Sequence, residues 1–337
     1  MHAKAVVVGI AGLELTGEEA RLLERHRPFG VILFRRNIQD RDQLRALITS
    51  LRAVLAPQPV AVLVDQEGGR VARLRPPVWS PLPPAADLGA LAEADVERAE
   101  AAARCHAGLI AHDLREVGFD VVCAPVLDVA PRDRPGAIGD RAISADPAIV
   151  TRLGAAMLEA FLDGGLLPVI KHLPGQGRAR ADSHTELPIV TDPLAALEEI
   201  DVQPFRAMAA APFGMTGHVL YTSIDPQLPA TLSPIVIERV IRGTIGFQGA
   251  LFSDDLGMGA LSGSIGDRVR RCLAAGCDLA LQCSGVVDEL AEALDAATWL
   301  GGTAAERCGR ALRARRPARP FAVAAARAII DRLPVQA

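Results

Sequence analysis

Residues 169–188 bring together several side chains that can bind a substrate or transfer a proton. A short apolar run leads directly into Lys171 and His172, a Pro-Gly-x-Gly turn follows, and the polar loop behind it carries Asp182 and His184. Histidine changes its protonation state near neutral pH, which suits a group that must first donate and then accept a proton. Because loops carried on a rigid scaffold often hold reactive groups, we predict that this stretch is a catalytic loop.

Other polar side chains stand directly after apolar runs of strand length. They are Arg36 and Asn37; Asp65, Arg70 and Arg73; Asp128; His218; and Asp254 and Asp255. A further polar loop contains Arg132, Asp133, Arg134, Asp140 and Arg141. If the runs are parallel strands of one barrel, their carboxyl ends meet at one face, and these scattered side chains converge there. The pattern therefore predicts an enzyme.

The apolar runs alternate with segments of helical spacing. The runs cover residues 5–10, 30–34, 60–64, 120–127, 166–170, 213–216, 249–252 and 278–281, and the main helical segments cover residues 40–55, 86–117, 147–162, 194–210, 233–244 and 267–275. Continuous Val, Ile and Leu runs are typical of parallel strands buried on both faces. We predict one α/β domain over residues 1–337, a (β/α)8 barrel with extra C-terminal helices. An open doubly wound sheet is the alternative, but the sequence has no G-x-G-x-x-G phosphate loop.

Composition argues against several other classes of protein. A net charge of −4 gives no reason to expect nucleic-acid or membrane-surface binding, both of which favour clustered Lys and Arg. No run of about 18 apolar residues is present to cross a membrane, and the N-terminus shows no signal-peptide pattern. The six cysteines form no C-x-x-C pair and no zinc spacing. We therefore expect a cytoplasmic protein in a reducing environment.

Three functions fit this set of residues. Metal-dependent hydrolysis could use Lys171, His172, His184, His218 and Asp254, but the first strand lacks the His-x-His pair of barrel amidohydrolases. Glycoside hydrolysis needs one carboxylate that attacks and a second group that donates a proton, and it needs no metal. A barrel that binds amino sugars without cleaving them is the third possibility. The metal hypothesis leaves the arginines and the Asp-x-His pair unexplained.

Five motifs, in order along the chain, resemble glycoside hydrolase family 3, and more narrowly its β-N-acetylhexosaminidase branch. The motifs are Leu33-Phe-x-Arg-Asn37, Asp65-Gln-Glu-Gly-Gly-Arg70-Val-x-Arg73, Gly139-Asp-Arg141, Lys171-His-x-Pro-Gly-x-Gly177 with Asp182-Ser-His184 and Pro188, and Phe252-Ser-Asp-Asp-Leu256-x-Met258. The resemblance extends over roughly residues 5–290. It implies a one-domain bacterial (β/α)8 enzyme of cell-wall recycling that acts on small muropeptide sugars. Hydrolysis of a neutral N-acetylated sugar needs no metal or cofactor, and barrels of this size are commonly monomers or homodimers.

The resemblance also assigns roles to individual residues. It implies that Asp254 is the nucleophile of a retaining mechanism with a covalent glycosyl-enzyme, and that His184 is the acid/base with Asp182 as its partner. The residues implied to bind the N-acetylglucosamine unit are Asp65, Arg73, Arg141, Lys171 and His172. These roles agree with the chemistry, because an aspartate can orient a histidine ring and neighbouring cations keep a carboxylate ionised.

Several positions carry narrower expectations. The family commonly has His where this chain has Gln176, and Ser where it has Gly257; Gln retains hydrogen bonding but cannot titrate. Asp255 is expected to hold its loop, and Glu67 to support Arg70. The histidines of the helical segments, His26, His106 and His112, are expected in surface or core roles. The loop around Asp182 and His184 is expected to move and to bring His184 to the leaving oxygen when substrate binds.

Overall fold

Eight parallel strands form a closed barrel in a computed structural model, which describes residues 2–131 and 138–333. The barrel strands, first to eighth, are Lys4–Gly9, Pro28–Leu33, Ala61–Val64, Val121–Val122, Leu167–Leu173, Phe213–Thr216, Ala250–Asp255 and Leu279–Gln282. The sheet closes where Val7 of the first strand lies opposite Leu281 of the eighth. The predicted (β/α)8 barrel is confirmed.

Helices surround the barrel and continue beyond its last strand. Their bounds are Gly17–His26, Arg41–Leu55, Ala85–Ala94, Val96–Val117, Pro147–Asp163, Leu194–Glu199, Gln203–Ala207, Val236–Thr244, Ile265–Ala275, Val287–Ala296, Gly302–Arg313 and Val323–Ile330. Short 3₁₀ turns cover Arg35–Asn37, Gly139–Arg141 and Ala230–Leu232, and two short strands, Ile189–Val190 and Leu220–Tyr221, pair outside the barrel. No helix within these described parts is both long and apolar enough to span a lipid bilayer.

Two predicted helices are each divided in the structure. The segment 86–117 breaks at Asp95, whose side chain accepts a hydrogen bond from the backbone N–H of Arg98 and so begins a new helix. The segment 194–210 breaks before Pro204, since proline lacks an N–H and its ring clashes with the carbonyl four residues earlier. Helical spacing alone could not place either interruption.

Strand lengths also differ from the prediction, and the differences concern the carboxyl ends. The fourth strand pairs regularly only at Val121–Val122, because Pro125 soon follows and has no N–H to extend the ladder. The fifth and seventh strands instead continue past residues 170 and 252 to Leu173 and Asp255. The side chains predicted to follow these two strands therefore lie on the strands themselves.

Aromatic side chains fill part of the barrel interior. Phe29, Phe213 and Phe252 come from the second, sixth and seventh strands, are buried, and contact one another with ring centroids 5.1–6.4 Å apart. Contacts between strands that are not neighbours can form only across the interior, so the barrel is a packed core rather than a pore. This core supports the carboxyl ends of the strands, where the polar residues lie.

Candidate active site

The carboxyl ends of the barrel strands and the loops above them enclose a cavity of about 270 Å³. The lining includes every residue predicted above to be catalytic or to bind the sugar: Asp65, Arg73, Arg141, Lys171, His172, Asp182, His184 and Asp254. They come from different strands and loops that are separated by up to 189 positions in the chain, counted from Asp65 to Asp254 (254 − 65). The folded barrel brings all eight to one place.

A buried lysine, Lys171, lines the cavity. The Lys171 side chain is 2% exposed, and its Nζ lies 2.9 Å from Asp65 Oδ1 and 2.6 Å from Glu67 Oε1. Burial by itself would lower the pKa of Lys171, but the two carboxylates outweigh burial and hold that pKa above its usual value. For Asp65 the directions are reversed: burial by itself would raise its pKa, yet Lys171 and Arg73 hold that pKa below its usual range. Lys171 and Asp65 therefore both remain charged.

Glu67 is the residue of this network that the sequence interpretation placed wrongly. It accepts two hydrogen bonds from Arg141, at 2.8 and 2.9 Å, in addition to its contact with Lys171. Burial would raise the pKa of Glu67, but Arg141 and then Lys171 lower it to about 2. Arg70, which Glu67 was expected to support, forms an ion pair with Asp140 instead. Arg141 is the last residue of the turn Gly139–Arg141, and Glu67 follows the third strand.

His172 is oriented by an aspartate from the neighbouring strand end. Asp128 is fully buried, and its Oδ2 lies 2.7 Å from His172 Nδ1. Its Oδ1 accepts hydrogen bonds from the backbone N–H groups of His172, at 3.3 Å, and of Gln176, at 2.6 Å. The other ring nitrogen of His172 is left to face the cavity and Arg141, 3.5 Å away. The sequence identified Asp128 as a strand-end residue, but its bond to His172 was not predicted.

Asp254 reaches the cavity from the end of the seventh strand. Its Oδ1 accepts a hydrogen bond of 2.8 Å from the backbone N–H of Asp255. Burial would raise the pKa of Asp254, but attraction to His172 and His218 and the bond from Asp255 lower it overall. Asp254 is therefore an ionised carboxylate at neutral pH, which is the form that a nucleophile requires.

The neighbouring Asp255 holds backbone groups together. Its Oδ1 accepts hydrogen bonds from the N–H groups of Gly257, at 2.9 Å, and Cys283, at 3.0 Å. These contacts agree with the expectation that Asp255 supports its loop. His218 also has a supporting position, since it is buried, with its ring nitrogens 2.7 Å from Thr231 Oγ1 and 2.9 Å from the Asp255 carbonyl.

His184 and Asp182 form a hydrogen-bonded pair at the mouth of the cavity. His184 Nδ1 lies 2.8 Å from Asp182 Oδ1, and the same oxygen accepts a bond from the His184 backbone N–H. The side chains are 67% and 47% exposed, respectively. Burial would raise the pKa of Asp182, but the two hydrogen bonds from His184 and the attraction to its ring together lower that pKa overall. Since Asp182 engages Nδ1, Nε2 is the nitrogen left for proton transfer.

Some of the strand-end residues do not contribute to the cavity. Arg36 and Asn37 donate hydrogen bonds to the carbonyl of Ile10, and Asn37 also to that of Gly12, so they hold the first loop. The histidines His26, His106 and His112 lie on helices, as expected. The positions of Arg132, Asp133 and Arg134 fall outside the described residues.

Comparison with known proteins finds close relatives over most of the chain. Residues 5–310 match the family described as the Glycosyl hydrolase family 3 N terminal domain. The chain is 41% identical over 294 residues to the Beta-hexosaminidase of Stenotrophomonas maltophilia (strain K279a), with 86% of each sequence covered. It is 42% identical over 282 residues to the Beta-hexosaminidase of Xanthomonas euvesicatoria pv. vesicatoria (strain 85-10), covering 82% of this chain and 83% of that one.

Solved structures agree with the sequence relatives. NagZ from Neisseria gonorrhoeae in complex with zinc ion superposes with a TM-score of 0.87 at 32% identity, covering 99% of this chain and 98% of that one. The same protein in complex with N-trifluoroacetyl-D-glucosamine gives a TM-score of 0.85 at 33% identity, with 98% and 94% covered. The similarity thus includes the whole barrel and the loops that form the cavity.

Proposed function

From the premise that this chain belongs to glycosyl hydrolase family 3 and is a β-hexosaminidase, we propose that it removes terminal non-reducing N-acetyl-β-D-glucosamine with retention of configuration. The observation that carries the proposal is the shared cavity. An ionised Asp254, the Asp182–His184 pair and a buried network of charged groups all line the same space. Attack, proton transfer and sugar recognition can therefore occur on one bound sugar unit.

In the proposed first step, Asp254 attacks the anomeric carbon while His184 transfers a proton from Nε2 to the leaving oxygen. The bond between the anomeric carbon and that oxygen breaks as the covalent glycosyl-enzyme forms. In the second step His184 accepts a proton from water, and the resulting hydroxide displaces Asp254. Two inversions give net retention. Asp182 orients the ring and stabilises its protonated form during the first step.

The sugar itself is proposed to be held by Asp65, Arg73, Arg141, Lys171 and His172. Asp65 pairs with Arg73 and Lys171, while Arg141 pairs with Glu67 and His172 with Asp128. These contacts fix the five side chains before substrate arrives, so little conformational freedom is lost on binding. Fixed charged groups also make strong hydrogen bonds to sugar hydroxyl and acetamido groups. Hydrogen bonds from these fixed side chains orient the anomeric carbon toward Asp254.

The first experiment measures hydrolysis of 4-nitrophenyl N-acetyl-β-D-glucosaminide by the wild-type chain and by Asp254→Asn. Loss of the nucleophile is expected to reduce kcat by more than about 10³-fold. Asp288→Asn, at an exposed helix position, is the matched control and is expected to retain full activity. Undiminished activity of Asp254→Asn would contradict its role. Activity that EDTA abolishes would favour the metal-dependent alternative, and sugar binding without turnover the non-catalytic one.

The retaining mechanism has a separate test. Proton NMR of a fresh reaction is expected to show the β-anomer of N-acetylglucosamine first, because two displacements restore the starting configuration. A 5-fluoro glycosyl fluoride of N-acetylglucosamine is expected to label the peptide that contains Asp254, as detected by mass spectrometry. Initial release of the α-anomer would overturn the covalent route.

We further propose that the natural substrates are peptidoglycan fragments and that residues 1–337 act as one catalytic domain in the cytoplasm, without a cofactor. Support for the substrate comes from the motif resemblance described above, and support for a reducing compartment from six cysteines without a disulfide. Comparing kcat/KM for an N-acetylglucosaminyl muropeptide and for N,N′-diacetylchitobiose tests the substrate class. A preference for chitobiose would redirect the assignment to chitin fragments.

A further inference from the structure

The exposed Asp182–His184 pair is anchored to the barrel through Ser183, the buried residue between them. Ser183 is 2% exposed, and its carbonyl accepts a hydrogen bond of 3.2 Å from the backbone N–H of Ala260. The carbonyl of His184 accepts one of 3.1 Å from the N–H of Gly259. The loop that carries the acid/base is thus bonded to the segment that begins four residues beyond the seventh strand, the strand that carries Asp254.

Gly259 makes this contact possible by its lack of a side chain. A Cβ at this position would lie 2.8 Å from the carbonyl oxygen of His184 and 3.1 Å from that of Thr185. The backbone of Gly259 does not have a positive φ, so conformational strain is not the reason for glycine here. Because the opposing atoms are backbone, a larger residue would have to push the loop away from the barrel.

Gln176 provides a second attachment. It is 2% exposed, its backbone N–H is bonded to Asp128, and its Nε2 donates to Ser183 Oγ at 3.3 Å. The amide is packed against Gly217, where a Cβ would lie 2.7 Å from Gln176 Oε1. Its oxygen has no hydrogen-bond partner within the described residues, so the Ser183 contact is the bond that this amide group makes to protein. The loop is therefore linked to the barrel through both the Asp128 and the Asp254 strand ends.

We propose that Gly259, Gln176 and Ser183 form a loop latch that secures the loop in the position described here, where His184 lies at the distance from the leaving oxygen that proton transfer requires. The movement expected from the sequence would make and break this latch. They are positioning residues, because they act through His184 and do not react themselves. The inference rests on the proposed function in one respect, the role of His184 as acid/base. It explains how a side chain as exposed as that of His184 can be placed accurately enough for catalysis.

A misplaced acid has a characteristic kinetic effect. The ratio kcat/KM reports the steps up to formation of the glycosyl-enzyme, and a good leaving group such as 4-nitrophenolate departs in that step without a proton. An alkyl or sugar alkoxide cannot depart without a proton. For such leaving groups, general acid catalysis raises the rate by about 10²–10⁴-fold. Loss of the latch must therefore affect poor leaving groups far more than good ones. A general loss of folded protein would affect both equally.

The test compares Gly259→Ala with Gly12→Ala, a matched control in which a Cβ meets no atom within 4 Å. Gly259→Ala is expected to lower kcat/KM at least 10-fold for the methyl or disaccharide glycoside and less than 3-fold for the 4-nitrophenyl glycoside. The Kd of N-acetylglucosamine is expected to stay within 2-fold. Gly12→Ala is expected to match the wild type throughout.

Ser183→Ala serves as a second variant, so the idea stays testable if Gly259→Ala does not fold. It is expected to give the same leaving-group dependence with a smaller effect, since it removes only the Gln176 bond. Equal losses for both substrates, or no loss in either variant, would overturn the latch. A wild-type chain that hydrolyses neither glycoside would instead overturn the proposed function, so the two failures are distinct.

Discussion

At the scale of single residues, Lys171 is the least replaceable cation of the site. The chain has 36 Lys and Arg residues, of which only Lys4 and Lys171 are lysine. Lys171 is enclosed by two carboxylates at 2.9 and 2.6 Å, a space that suits a compact ammonium with three donors. Arginine presents a planar fork that needs more room and a different arrangement of acceptors. The position therefore favours lysine, in a chain whose basic residues are nearly all arginine.

We expect Lys171→Met to lower the free energy of unfolding by about 3 kcal/mol, because removal of one partner leaves buried charges uncompensated. Urea denaturation followed by circular dichroism measures the change. Lys4→Met is the control, since Lys4 Nζ donates to the backbone carbonyl of Leu294 and its loss is expected to cost about 1 kcal/mol. Lys171→Arg is also expected to be destabilised and to lose sugar binding. A Lys171→Met chain as stable as Lys4→Met would contradict this account.

At the scale of secondary structure, irregular strand ends allow consecutive residues to face the same cavity. A regular strand directs successive side chains to opposite faces of the sheet. The register between the fifth and sixth strands shifts between Lys171 and Leu173, and both Lys171 and His172 line the cavity. A similar shift occurs beside the seventh strand, where Asp254 and Asp255 both line it. The irregularities lie at the points where polar side chains are concentrated.

The turn after the fifth strand depends on Asp128, which accepts three hydrogen bonds from His172 and Gln176. We expect Asp128→Ala to lower the free energy of unfolding by about 3–5 kcal/mol, since buried donors lose a charged acceptor. Asp128→Asn retains one acceptor oxygen and is expected to lose roughly half as much. Both variants are expected to raise KM, because His172 loses its orientation. Chemical denaturation and steady-state kinetics of the two variants test the prediction, which fails if Asp128→Ala stays within 1 kcal/mol of the wild type.

At the scale of the whole molecule, the helical layer carries a buried histidine that limits stability in acid. His106 is fully buried on the helix Val96–Val117, and its Nε2 lies 2.9 Å from the carbonyl of Pro83. Burial lowers the pKa of His106 to about 4, although the Pro83 carbonyl partly opposes this. His106 also packs against Gly68, which lies within the loop from Asp65 to Arg73, so its protonation is expected to disturb the loop that lines the cavity.

Between pH 6.5 and 4, His106 is protonated in the unfolded chain but neutral in the folded chain. The free energy of unfolding therefore decreases as pH falls through this window. The slope is about 1.4 kcal/mol per pH unit, or up to about 3 kcal/mol in total. Glu67 acts in the same direction at lower pH, since its folded pKa of about 2 lies below its usual 4.5. Urea denaturation at pH 7, 5.5 and 4 is expected to show this loss, with a shallower slope for His106→Gln. Equal slopes for the two chains would exclude His106 as the cause.

The sequence by itself determined the barrel and its alternation of strands and helices, and it named eight candidate residues that line one cavity in the fold. The barrel was predictable because continuous apolar runs specify buried parallel strands, and polar residues at the strand ends indicated where a site would form. The choice of the eight candidates among those polar residues came from the family resemblance of the motifs. The break at Asp95 and the short fourth strand show the limit of such patterns, since each depends on a single capping residue or proline whose effect competes with the surrounding propensity.

Only the tertiary structure decided which charges pair and what holds the catalytic loop. Glu67 and Arg141 are separated by 73 intervening residues, and nothing local indicates that they bond to each other rather than to Arg70 and Asp140. The role of Gly259 is equally invisible in sequence, because it depends on the approach of a loop 75 positions away, at His184. Such contacts arise from how the strand ends and loops converge on the barrel, a property of the closed fold and not of any one segment.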